Sequence, residues 1–447
     1  MFQPRLVSLL SWSALVRAAS VALVAQVAGA GLNLGVQIVF ARWAGAEAYG
    51  AYSYAMAWAG LLATLCGLGL PQALVRFVPE YLRTEQPRRL RGVVRRSEHL
   101  VALCSGAVGA GGLALTLALD ARIGLPALRL PLLIGFGALP MLALLRLYTE
   151  LCIARQQMTL AYLLPRVGRP LGMLAGAAVV VWGRGETLTA GAAVCIAVAP
   201  VPLIGLVQRA AFHRGLPAAV RSAAPAYATR TWLRTALPML LITGFLLLLG
   251  QTDLLMIGLL RDAEQVGLFK VASKMASLVL FPLFAVNAAV APRIAASHAA
   301  GDTHALRQVV RNGARWMAAG SLAIAALVLL GTDIVLGLFG DAFRAADSVL
   351  WILAFAQCAN ACAGPVGPLL TMTGHQDDAA WVYGGCALLN VVLNAAGILA
   401  YGTVGAALAT AATTVLWNVG LYRIAVARLD VRPSVLDLLR GSRLPKP

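Results

Sequence analysis

Long apolar runs alternate with short polar links along the whole chain, and the length of the runs sets the class of protein. A bilayer core of about 30 Å asks for roughly 20 apolar residues per helix. Twelve runs answer to that, at 18–40, 51–71, 99–119, 130–152, 170–183, 188–208, 236–260, 268–291, 316–339, 348–372, 380–400 and 403–425, the fifth being short. Each predicts a membrane-spanning helix. Ahead of them, residues 5–16 predict an interfacial amphipathic turn or two, with Trp12 suited to the headgroup layer. Ala28-Gly-Ala30 after Arg17 imitates a signal-peptide cleavage site, but the apolar run continues to Phe40 and begins too far from Met1. It reads as the first membrane helix.

The polar links carry a repeat. Arg42-Trp-Ala-Gly-Ala-Glu-Ala-Tyr-Gly-Ala-Tyr52, between the first two runs, returns between the seventh and eighth as Arg261-Asp-Ala-Glu-Gln-Val-Gly-Leu-Phe269. Ala46, Glu47, Gly50, Tyr52 and Ala55 fall on Ala263, Glu264, Gly267, Phe269 and Ala272, and Arg76 falls on Arg293. One residue dropped in the next loop sets the segment Leu90 to Arg96 over Leu306 to Asn312. The chain is thus expected to be an internal duplication, with bundles at 1–220 and 221–428 and a cytoplasmic tail at 429–447. Six helices per unit is an even number, so both units enter the membrane from the same side as parallel repeats, with a central path between them. The shared glutamate and glycine predict an acidic cap and a tight turn at the outer corner of each opening hairpin. A channel would need a filter sequence, and none is visible; a transporter working by alternating access is the natural reading.

Composition agrees with the runs. Apolar residues make up 60% and charged residues 12%, with a mean hydropathy of +0.80, whereas about a quarter of a soluble domain is charged. The net charge of +18 would suggest nucleic acid in a soluble protein, but these arginines sit in short links between membrane runs. There they set orientation and meet anionic phospholipids, so no nucleic-acid partner is expected. Of the 36 Lys and Arg residues, 27 fall in links that are inner if both ends are inside, six fall in outer links, and Arg146, Lys270 and Lys274 fall within runs. Both termini are therefore expected in the cytoplasm. The seven cysteines lie in apolar runs and imply neither a metal site nor a disulfide framework.

No catalytic constellation stands out. The five histidines sit in or beside inner links without HExxH or Cys/His spacing, and the outer links are too short to house a glycosyltransferase or polymerase site. No catalytic residue, metal or cofactor is expected, beyond a coupling ion, H+ or Na+. Ionisable groups within the bilayer are functional candidates by default. Asp253 and Lys274 each lie about seven residues, roughly 10 Å, below the outer surface on consecutive helices. They are expected to face one another or share the central cavity, either as a static ion pair or as a substrate or coupling site. Lys270 is one turn nearer the surface and could snorkel. The first repeat has Val36 and Ala57 at the positions of Asp253 and Lys274, so the charged site belongs to the second half.

Milder candidates follow. Asn33 and Gln37 offer interhelical hydrogen bonds or sugar contacts. Arg146 and Glu150 are i,i+4 neighbours, read either as a surface-proximal pair or as an anion-binding arginine held by its glutamate. Arg76 and Arg293 occupy equivalent repeat positions, as positive-inside anchors or as a paired clamp on a phosphate. Pro71, Pro282 and Gly364-Pro-Val-Gly-Pro368 interrupt the second, eighth and tenth runs and could bend them. Asn390, Asn394 and Gly405-Ala-Ala-Leu-Ala-Thr410 suggest close packing with polar glue.

Taken in order, Phe40-Ala-Arg-Trp-Ala-Gly-Ala-Glu-Ala-Tyr-Gly50, Gly67-Leu-Gly-Leu-Pro-Gln72, Gln251-Thr-Asp253, Asp262 to Phe269, Thr373-Gly-His375, Leu388 to Asn394 and Gly405 to Thr410 resemble one family. It is the polysaccharide-exporter branch of the multidrug/oligosaccharidyl-lipid/polysaccharide (MOP) flippase superfamily, and the resemblance runs from about residue 15 to 428. It implies a V-shaped, all-α carrier of two six-helix bundles around a central cavity, acting as a monomer in a bacterial inner membrane. Its expected cargo is a polyprenyl-diphosphate-linked oligosaccharide, a repeat unit of O-antigen or exopolysaccharide, with other polysaccharide-assembly membrane proteins as partners. Lys274 matches a basic cavity position of related lipid-precursor flippases, while their cavity arginines on the first two helices and their two extra C-terminal helices have no counterpart. Two other readings stay open, a cation-coupled multidrug exporter of the same fold and a non-transporting scaffold.

Overall fold

The computed structural model describes residues 12–124, 126–185 and 187–435, and among them every regular element is helical. Its two longest helices, Trp12–Cys66 and Gln376–Leu429, hold 55 and 54 residues. At 1.5 Å per residue each would measure about 80 Å, well over twice a bilayer core. Each is in fact two spans folded at one glycine: Gly45 with φ 78° and ψ 173°, and Gly402 with φ 59° and ψ −134°. A Cβ resists that positive φ, so a single glycine makes the corner.

This corrects the reading of the repeated link. Gly45 makes the first turn, and Gly50 lies buried inside the helix that follows. In the second copy the cap is Asp262, whose side chain accepts from the Gln265 backbone N–H at 2.9 Å, while Glu264 and Gly267 sit in the helix Ala263–Ala276. Of the residues shared by the repeats, Ala46, Glu47 and Gly50, with Ala263, Glu264 and Gly267, lie in the helix just past each corner.

The expected runs are all recovered as helix. Seven described helices are long and apolar enough to span a membrane singly, and nine when two bent pairs count as one span each. Opening Trp12–Cys66 and Gln376–Leu429 at their glycines and adding Thr229–Leu260 accounts for the rest. Bends fall where expected at Pro71, where Cys66 and Leu70 flank a 42° break. At Pro282 a short 3-10 helix, Ser277–Leu280, intervenes. The missing proline N–H loosens the ladder there, and Ser321 Oγ donates to the Val279 carbonyl at 2.8 Å. A further 45° break, between Arg129–Gly137 and Leu139–Ala154 beside Pro140, divides what the apolar pattern shows as one run. The fifth run is longer than its apolar stretch, because a π-helix, Thr159–Gly168, extends it back to a 25-residue span. Residues 5–11 of the predicted interfacial turn and 436–447 of the predicted tail lie outside the described residues.

Leu103, Leu241, Leu327, Leu330 and Trp381 are each more than 70% exposed. In water such an apolar surface would drive aggregation; in hydrocarbon it is the solvated face. This is the surface of a multi-pass membrane protein.

By internal packing the chain forms two units, Met1–Gln251 and Thr252–Pro447, the division falling within Thr229–Leu260. In the first unit, Trp232 is almost wholly buried and donates Nε1–H to the Tyr81 hydroxyl at 3.0 Å. Close by, Gly69 (φ +70°) lies so near Ala236 that a Cβ would come 2.0 Å from its carbonyl oxygen. Trp232→Phe keeps an aromatic ring but removes the indole N–H that the Tyr81 hydroxyl accepts, and leaves a cavity where the second ring was. It is expected to cost about 1–3 kcal/mol, visible as a lower midpoint in detergent-phase thermal unfolding; an unchanged midpoint would show that the bond contributes nothing. The second unit packs Val290, Ile294, Val310, Leu369, Leu370 and Leu421 as its core. Arg261 donates from Nε and Nη2 to Ile398 O at 3.1 and 2.7 Å, and from Nη2 to Leu399 O at 2.8 Å. It thereby satisfies carbonyls that the break at Gly402 leaves without helical partners.

Candidate functional site

The Gly402 corner builds the most organised polar cluster in the second unit. Asn394 and Thr410 stand eight residues either side of it, so the two arms bring them to one depth. The arms touch through glycines, since a Cβ on Gly405 would lie 1.8 Å from the Gly397 carbonyl oxygen. Asp253, on Thr229–Leu260, completes the site. Asn394 Nδ2 donates to Asp253 Oδ1 at 2.7 Å, and Thr410 Oγ1 donates to Oδ2 at 2.7 Å. Asn394 Nδ2 also lies 3.0 Å from Asn390 Oδ1, and Asn390 Nδ2 donates to Thr413 Oγ1 at 3.1 Å. Among the described residues, Asn394 Oδ1 is buried without a hydrogen-bond partner. A carboxylate, an amide oxygen and hydroxyls at membrane depth form a hard-oxygen set, suited to a proton or a small hard cation. Among the described residues no three His, Cys, Asp or Glu groups converge as a metal site.

The expected partnership of Asp253 with Lys274 does not form. Among the described residues neither Lys274 nor Lys270 has a carboxylate within 4.0 Å. Both lysines are half-buried on Ala263–Ala276, one turn apart and therefore on one face. Asp253 is held instead by Asn394 and Thr410, which occupy both of its carboxylate oxygens.

In the first unit, Arg146 and Glu150 line a cavity of about 230 Å³ together with Thr64, Gln72, Thr149 and Arg169. They do not form the expected ion pair, which accords with their order, since the acidic residue stabilises better when it precedes the basic one. Arg169 donates from Nε and Nη2 to Ala197 O at 3.2 and 3.1 Å, at the break before Pro200. Asn33, Gln37 and Tyr49 form a hydrogen-bonded chain across the Gly45 corner, with Tyr49 donating to Gln37 Oε1 and Gln37 Nε2 to Asn33 Oδ1 at 3.3 Å. Arg76 lies 3.8 Å from Glu80 on an exposed face. Arg293, in the other unit, lines a cavity of about 560 Å³ with Gln308, Asn312 and Trp316.

From the sequence, Asn390, Asn394 and Thr410 suggest packing alone, and nothing marks Arg169 as part of a cavity. Polar residues recurring at helical spacing inside apolar runs were the available signal. It marked a polar face without naming what that face meets.

A family model described as polysaccharide biosynthesis protein matches residues 15–298, and one described as MatE matches residues 238–396. No curated protein matches the chain. Among solved structures, an inward-facing multidrug resistance MATE family transporter of the MOP superfamily aligns with a TM-score of 0.71 at 13% identity, over 92% of this chain and 95% of that one. The lipid II flippase MurJ in an inward closed conformation gives 0.69 at 13% identity, over 91% and 87%. A MOP superfamily transporter from Pyrococcus furiosus gives 0.58 at 14% identity, over 92% and 96%. With a family model covering more than half its length, the chain belongs to the polysaccharide biosynthesis protein family, and it shares its fold with these transporter and flippase structures.

Proposed function

We propose that the protein is a flippase that moves a polyprenyl-diphosphate-linked oligosaccharide from the cytoplasmic to the outer face of a bacterial inner membrane, by alternating access, with both termini in the cytoplasm. The match of residues 15–298 to the polysaccharide biosynthesis model carries this reading. The physics is favourable, because a diphosphate-sugar head cannot enter hydrocarbon without losing many kcal/mol of hydration. Lys270 and Lys274, without carboxylate partners among the described residues, are suited to the diphosphate. Arg146 and Arg169 offer a second cationic group, and Asn and Gln side chains suit sugar hydroxyls. Asp253, with Asn394 and Thr410, takes the coupling cation, H+ or Na+.

A cation-coupled drug exporter is the second reading, favoured by the MatE match over residues 238–396. Deleting the gene separates the two. Loss of surface polysaccharide with lipid-linked units accumulating inside is the expected result; normal polysaccharide with altered drug sensitivity would overturn the flippase reading in favour of the exporter.

A further inference from the structure

At one end of the first unit, Arg91, Arg95, Arg209 and Arg221 surround a cleft of about 470 Å³ with Glu98 and His213. Its walls are built. The strand of chain after Ser222 is strapped to the start of the helix Pro87–Ile123, where Arg91 Nη1 donates to Ala223 O at 2.5 Å and the Ala226 N–H to Arg88 O at 2.9 Å. Gly92 permits the strap, because a Cβ there would lie 1.9 Å from the Ala226 carbonyl oxygen. Glu98 is fixed from three sides: by the Tyr148 hydroxyl at 2.8 Å, His213 Nε2 at 3.2 Å and Arg209 Nε at 3.9 Å. Arg95 and Arg221 are exposed and form no ion pair among the described residues.

A second groove, of about 420 Å³, shares Glu98, His99 and Arg209 with this cleft and continues along the membrane spans past Ala102, Met141, Val201, Gly205 and Leu206. Met141 and Leu206 are exposed along it. The two features are continuous: arginines at the end of the spans, an apolar channel running from them into the hydrocarbon. We infer that the cleft and groove together form a binding site for one anionic glycerophospholipid, its phosphate among Arg95, Arg209 and Arg221 and an acyl chain along Met141 and Leu206.

The charge balance selects the occupant. Basic pockets between membrane helices recognise anionic headgroups, and the fixed Glu98 at the junction offers an acceptor beside the arginines. A phosphodiester with a hydroxylated head, as in phosphatidylglycerol, can donate to that carboxylate while its phosphate meets the arginines; a bare polyprenyl diphosphate has no head-group hydroxyl to donate. An acidic peptide would fill the arginine cleft and leave the groove in hydrocarbon uncovered.

The test uses the full-length protein in nanodiscs containing equal phosphatidylglycerol and phosphatidylcholine, with lipid retention read by native mass spectrometry after release. The wild type is expected to retain phosphatidylglycerol preferentially. Arg95→Gln with Arg221→Gln should lower that retention about 30-fold, at about a tenfold loss for each 1.4 kcal/mol and about 1 kcal/mol per arginine. Gly205→Phe, placed where a Cβ meets nothing within 4 Å, should lower it through the chain rather than the head. Phosphatidylcholine retained equally, variants retaining phosphatidylglycerol as the wild type does, or polyprenyl diphosphate displacing it at equal concentration would each overturn the proposal. The last result would return the site to the transported lipid. A thermal midpoint unchanged in phosphatidylcholine discs confirms that a variant is folded, and a shifted one directs the test to the other variant.

Discussion

Asp253→Asn is expected to leave a folded, membrane-inserted protein that no longer couples transport to a cation gradient. The side chain keeps its shape, and the amide can still accept from one of its two donors, Asn394 Nδ2 or Thr410 Oγ1. The other side must rearrange, at about 1–3 kcal/mol, which a two-unit helical protein can absorb. The charge that attracts a cation is gone altogether. The measurement is flipping of a lipid-linked oligosaccharide in proteoliposomes under imposed Na+ or H+ gradients; gradient-driven transport at the wild-type rate would remove Asp253 from coupling. Thr410→Val deletes one supporting oxygen and should weaken apparent cation affinity by about 10- to 100-fold while sparing the rate at saturating cation.

Lys274→Ala makes the complementary case. Its ammonium has no carboxylate within 4.0 Å among the described residues, so removing it leaves no buried anion stranded. Transport of the diphosphate cargo should be lost while cation-induced stabilisation at Asp253 persists. Simultaneous loss of both would mean that Lys274 and Asp253 act as one site after all.

That separation of Asp253 from Lys274 shows what a sequence can and cannot disclose here. The membrane runs were legible because a bilayer imposes a length on every helix. Asp253 and Lys274 were legible for the same reason, as charges where hydrocarbon penalises them. The partners of Asp253 lie 141 and 157 residues further along the chain, and residue counting fixes depth without azimuth. The Gly45 corner was misplaced because Ala46, Glu47 and Ala48 are helix formers that continue straight out of it. Only a backbone angle distinguishes such a corner from a loop. The π-helix Thr159–Gly168 is hidden by Pro165, Arg166 and Arg169, which delay the apolar pattern until after the helix has begun.

Gly405→Leu is expected to cost the most stability of any substitution proposed, and to remove function with it. A Cβ at this position would lie 1.8 Å from the Gly397 carbonyl oxygen and 2.2 Å from its carbonyl carbon. Backbone, unlike a flexible side chain, cannot swing away, so the two arms of Gln376–Leu429 must separate. Overpacking of this kind costs about 1–3 kcal/mol even where side chains can adjust, and backbone contact puts this case at the upper end or beyond. Close approach through small residues is also what holds membrane helices together, since lipid tails are as apolar as leucine. The arms carry Asn394 and Thr410, so parting them parts the donors that hold Asp253. Gly405→Leu should therefore lower the yield of monodisperse protein on size exclusion, and whatever folds should show weakened cation affinity. Gly384→Leu is the control, on the same helix but with nothing within 4 Å of its Cβ position. If both variants behave alike, the glycine contact is not what sets the geometry at Asp253; if only Gly405→Leu fails, the corner at Gly402 builds the site as well as the fold.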